Sequence, residues 1–172
     1  MKYLQGKKDL CLMYSTASVL YHIGWTKEAE TVARKGNQYE KTADTLKKLH
    51  KLMIELLPKW MHPCKIKRGF DWTKLPKHAI AVVVLEGKDG SANHGVCIYN
   101  GMVFDSNEPE AINLSTEALQ YCLDPGDLKI YHCIHAGYYY HEQGKQQKFE
   151  ALLQEFSNNK KHNDNDDDGD NA

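Results

Sequence analysis

Three observations predict an α+β fold for this chain. Apolar residues recur at helical spacing between Cys11 and Leu57. A near-continuous β-branched run follows at Ala79 to Leu85, and after it comes Asn100-Gly101 between apolar residues, the strongest short-range hairpin signal. Helices grouped ahead of antiparallel strands give this class, whereas strict alternation of the two would give a parallel sheet.

Taken in order, the apolar spacing that opens at Cys11 continues through Ser15 to Ile23, with Ala17, Leu20 and Ile23 inward and Gly24 suited to a left-handed C-terminal cap. Thr26 caps a second helix, Lys27 to Lys35, which Gly36 closes; Glu28 and Glu30 near its start and Arg34 and Lys35 near its end match the helix dipole. A third runs from about Thr42 to Leu57, where Leu46, Leu49, Met53 and Leu56 share a face, and Pro58 stops it. Residues 58–78 hold Trp60, Pro63, Phe70, Trp72 and Pro76 among lysines and Arg68 without a clean period, so a loop-rich connection with one short strand is expected. A substrate-facing wall is the sharper alternative for that segment.

Ala79 to Leu85 reads as a strand covered on both faces. Glu86 to Asn93 turns into the hairpin, Ser115 caps a short helix ending at Leu123, and Asp124-Pro125-Gly126-Asp127 reverses the chain. Leu128 to Ala136 is a further strand, with Tyr138, Tyr139 and Tyr140 expected as edge-strand packing. Gln143 to Phe156 places Phe149, Leu152, Leu153 and Phe156 at helical spacing. Residues 157–172 contain no aliphatic side chain before Ala172 and are expected to be a disordered acidic tail, leaving residues 1–156 as one domain.

Composition narrows the function. The chain has 172 residues, 41% hydrophobic, with no apolar run long enough for a membrane span and no signal-peptide core after Met1, so the cytoplasm is the expected compartment. Five cysteines are an odd number and argue against a secreted disulfide framework. Net charge is -1; the tail holds Lys160 and Lys161 against Asp164, Asp166, Asp167, Asp168 and Asp170, which leaves the body with 20 basic and 18 acidic groups. A body so near neutral has no nucleic-acid footprint.

The chemistry concentrates in two stretches. If Asn100-Gly101 is a two-residue turn, Tyr99 faces Met102, Ile98 faces Val103, Val96 faces Asp105 and His94 faces Asn107, so that His94, Asp105 and Asn107 share one side. That gives an imidazole a carboxylate diagonally opposite and an amide directly opposite, either of which orients a general base. Asp105 is favoured because its charge stabilises an imidazolium. Cys11 supplies a nucleophile at the start of a helix, where the dipole stabilises a thiolate.

Gln5 ahead of Cys11 at a helix start, then Asn93-His94-Gly95-Val96, then Asp105 or Asn107, resembles the papain-like cysteine peptidases in its anchors. The resemblance implies a helical half whose central helix starts at the cysteine, packed on an antiparallel sheet. It also implies roles: Cys11 attacks, His94 is the base, Asp105 (or Asn107) orients it, and Gln5 joins the Cys11 amide in holding the oxyanion. The implied activity is hydrolysis of amide bonds in a polypeptide substrate through a thioester, without a cofactor. Side-chain deamidation and amide transfer use the same triad, and a non-catalytic protein keeping the fold for binding is the alternative from another class.

Metal readings are weaker. His62-Pro63-Cys64 and His132-Cys133 with His135 gather metal-type ligands, yet the chain has no Cys-x-x-Cys pair, and His132 and His135 fall on opposite faces of a regular strand. The acidic tail lacks the glutamate that ends a calcium loop, and no P-loop or dinucleotide glycine fingerprint is present.

Overall fold

The computed structural model describes residues 3, 10–38, 45–58, 61–63, 71–75, 79–87, 93–123 and 131–140, and of residues 62, 93 and 131–140 the backbone alone. Among them are four α-helices: α1 (Cys11–His22), α2 (Thr26–Gln38), α3 (Thr45–Leu56) and α4 (Thr116–Leu123). Six strands, β1 (His62–Pro63), β2 (Ile80–Gly87), β3 (Asn93–Tyr99), β4 (Met102–Phe104), β5 (Ile112–Asn113) and β6 (Tyr131–Tyr140), form one sheet in the order β1-β6-β2-β3-β4-β5. Every recorded pairing is antiparallel. The fold is α+β, as the patterning predicts.

β2 explains the layering. Its alternate residues enter two separate cores: Ile80 and Val82 join Leu12, Met13, Ala17, Leu20 and Trp25 on the α1 side. Ala81, Val83 and Leu85 join Val96, Ile98, Val103, Leu119 and Cys122 on the α4 side. A strand apolar from Ile80 to Leu85 is therefore the middle layer of three. Full burial of side chains of this size contributes about 1.5–3 kcal/mol each.

α1 is buried along most of its length, from Leu12 to Leu20 apart from Tyr14. Its three hydroxyls there all find partners: Thr16 donates to Leu12 O at 2.8 Å, Ser18 to Tyr3 O at 3.3 Å and Ser15 to Gly95 O at 3.3 Å. Small polar groups with satisfied bonds let the helix be surrounded without stranding a donor. Gly24, at φ 89, takes the left-handed turn expected of it.

Several expectations need correction. Gly36 does not close α2, which continues to Gln38; a Cβ on Gly36 would lie 2.8 Å from Met13 Cβ, so the glycine serves the close approach of α2 to α1. β6 runs on to Tyr140 and is no edge strand, because Tyr139 pairs with Ile80 on one side and Pro63 on the other. The β2–β6 register shifts where Val84 pairs with His135 and Leu85 with Cys133, skipping Ile134, so the regular strand assumed for His132 and His135 is interrupted. The expected Gln143–Phe156 helix, the turn at 124–127, the acidic tail, Gln5 and Cys64 lie outside the described residues. No helix among the described residues is long and apolar enough to cross a membrane.

Candidate active site

Cys11 is the first residue of α1 and is half-buried. Leu10, in the cap position, offers no side-chain hydrogen bond, and the first turn contains no acidic residue. The N–H groups of a first helical turn lack intrahelical partners, so this end of α1 favours an anion beside it.

Two glycines hold that turn in place. Gly36 admits Met13 and Leu10 from the α2 side, and Gly95 admits Leu12 from the β3 side. A Cβ on Gly95 would lie 2.8 Å from Leu12 Cδ1 and 3.0 Å from its Cα, so no larger residue fits without moving the helix. This contact brings the Gly95 N–H to the sulfur, where it donates to Cys11 Sγ at 3.3 Å. His94, one residue earlier, is thereby placed beside the thiol, near enough that the sulfur helps to favour the charged form of its ring.

On its other edge the imidazole meets Asp105: His94 Nε2 donates to Asp105 Oδ1 at 2.8 Å. With Nε2 so engaged, Nδ1 is the ring nitrogen left for the sulfur. The pair is well shielded, with side chains 11% and 1% exposed. Burial works to lower the His94 pKa; the bonds to Asp105 and Cys11 and the charge of the carboxylate more than offset it and raise the value from 6.5 to about 9.

The hairpin keeps the expected register near its turn, with Tyr99 facing Met102, Ile98 facing Val103 and Cys97 facing Phe104. Beyond Phe104 the recorded pairing ends, so the expected facing pairs of Val96 with Asp105 and His94 with Asn107 do not extend the ladder. Asp105 instead opens a turn, accepting the Asn107 N–H on Oδ1 at 2.9 Å and the Glu108 N–H on its carbonyl at 3.0 Å. Asn107 is exposed, and its backbone N–H braces the carboxylate. The Cys122 thiol on α4 lies near Asp105; burial, then that carboxylate, pushes its pKa up.

The structure thus brings Cys11, His94 and Asp105 together and leaves Asn107 at the rim. Sequence reasoning missed Gly95, Ser15 and Cys122. The glycine after His94 was a signal, as were the hydroxyls of Ser15, Thr16 and Ser18 inside an apolar helix. Among the described residues no three His, Cys, Asp or Glu side chains are grouped to hold a metal ion. Compared with protein-family models, curated proteins and solved structures, the chain finds no match.

Proposed function

We propose that this chain is a cysteine-dependent hydrolase of amide bonds, a peptidase or isopeptidase of the papain-like kind. The observation that carries the reading is geometric: the Gly95 N–H donates to Cys11 Sγ, and its neighbour His94 is hydrogen-bonded to the buried Asp105. In the proposed reaction His94 takes the thiol proton at Nδ1, and the Cys11 sulfur attacks the carbonyl carbon of the substrate. The tetrahedral oxyanion gathers beside the uncapped first turn of α1, within reach of the Cys11 N–H, with Gln5 proposed as a second donor. The C–N bond then breaks, the amine leaves with the proton from His94, and a thioester remains. Water, deprotonated by the same ring, attacks that thioester and releases the acid and the thiol. Asp105 keeps the ring in the required tautomer and stabilises its cationic form throughout.

A thiol nucleophile has to stay reduced, for which the cytoplasm is the proposed compartment. The substrate proposed is a polypeptide. The test is acyl trapping. Purified protein is mixed with short peptide esters and amides and with isopeptide-linked conjugates, acid-quenched and mapped by mass. An acyl adduct on Cys11 that hydroxylamine removes, absent in Cys11→Ala and His94→Ala, is the expected result. Full retention of the adduct in His94→Ala, or its absence from Cys11 with every substrate, contradicts the hydrolase and leaves the non-catalytic binding reading.

A further inference from the structure

Ser15 lies one helical turn after Cys11 and is fully buried, at 0% exposure. Its hydroxyl donates to the carbonyl of Gly95 at 3.3 Å and accepts the N–H of Ser106 at 3.1 Å. Those two partners are the residues directly after His94 and Asp105. One oxygen therefore touches the chain next to both members of the imidazole–carboxylate pair, from the helix that carries the thiol. Gly95 is held at both ends of its backbone, its carbonyl on Ser15 and its N–H on Cys11 Sγ. Ser106 lies beyond the recorded β3–β4 pairing, so its N–H gains from Ser15 a partner that the strand ladder does not supply.

We propose that Ser15 is a positioning residue, which fixes the separation of the β3 and post-β4 segments from α1 and so sets how closely His94 approaches Cys11. The inference rests on the hydrolase reading, since it concerns the alignment of that same thiol. A side chain with one short rotor and both donor and acceptor capacity suits the place. Alanine removes both bonds, while leucine or valine overfills a site with no exposed surface.

The test measures alkylation of Cys11 by iodoacetamide in the whole chain, by peptide mapping, from about pH 5 to about pH 10.5, a range that spans the ordinary thiol value and the His94 value of about 9. Ser18→Ala is the control, because it deletes a hydroxyl of similar burial on the same helix, bonded to Tyr3 O. Both variants should lose thermal stability. Ser15→Ala alone should lower the Cys11 rate below neutral pH by about tenfold, the size of effect a small misplacement produces, and change the shape of its pH profile. Equal profiles in wild type, Ser15→Ala and Ser18→Ala, with stability lost in both variants, overturn the positioning role and leave the hydrolase reading intact. A wild type in which Cys11 reacts no faster than the other thiols overturns both.

Hydrogen exchange in the wild type provides a second measurement that does not depend on a variant folding. The Ser106 amide should exchange slowly, and exchange as fast as an exposed turn amide contradicts the bond on which the role depends.

Discussion

At its turn end the β3–β4 hairpin is a ladder in strict register, Tyr99 facing Met102 across the positive-φ pair Asn100 and Gly101. At its open end the ladder stops at Phe104, and Asp105 spends its backbone carbonyl and side chain on a tight turn while it receives His94. The turn end is held by repeated backbone bonds between neighbours in sequence. The open end is held by single bonds from α1, which lies far away along the chain. A sheet alone makes a hairpin; other elements are needed to turn its end into a site.

Removing one residue at each end should separate the two. His94→Ala leaves the Asp105 carboxylate buried without its cationic neighbour and should cost about 3–5 kcal/mol in urea unfolding. Asn100→Ala, at φ 47, should cost only about 1–2 kcal/mol from left-handed strain and leave Cys11 reactivity unchanged.

A pH difference of next size is expected. The folded value for His94, about 9, lies above the ordinary 6.5, so the folded state binds the extra proton between those values. The stabilisation is therefore fully present below about pH 6.5, falls as pH rises, and is gone above about pH 9; it is on the order of 3 kcal/mol. Unfolding midpoints at the two ends of that range check it, and Asp105→Asn should shrink the difference. An NMR titration of the His94 ring should show its midpoint near 9 in the wild type and well below that in Asp105→Asn.

Gly95→Ala against Gly101→Ala compares the two ends directly. At Gly95 the new methyl meets the backbone of Leu12, and repacking should cost about 1–3 kcal/mol while slowing Cys11 alkylation. At Gly101 nothing lies within 4 Å, so the cost is the strain of φ +73 alone, about 1–2 kcal/mol, and the thiol is unaffected. The smallest effect belongs to Asn107→Ala, which keeps the backbone N–H that braces Asp105. It should change stability by less than about 0.5 kcal/mol and spare Cys11 reactivity; a collapse of reactivity in this variant would make Asn107 the orienter.

Much of the turn end was legible in the residues themselves. Asn100-Gly101 specified the turn and the register followed by counting, as did the doubly covered strand from its unbroken β-branched run. The proximity of His94 and Asp105 was legible for the same reason, because both lie within a few residues of that turn. Apart from the meeting of Cys11 with His94, which the resemblance alone implied, contacts between distant elements could not be read. Gly36 looks like a helix stop in sequence and proves to be a contact with Met13, while Gly95 owes its size to Leu12. Ser15 looks like an interruption in an apolar helix until Ser106 and Gly95 are beside it. The interior place of β6 depends on β1, which falls where a short strand is expected in residues 58–78 but whose pairing with β6 no periodicity announces.

Whether His94 acts on the Cys11 sulfur is decided by comparing iodoacetamide rates at all five cysteines in wild type and His94→Ala at about pH 6, below the ordinary thiol range. Cys11 should react first in the wild type, ahead of Cys97 and Cys122, whose thiols burial pushes up, and His94→Ala should erase the lead. A lead that survives the loss of His94, or no lead at all, contradicts that action.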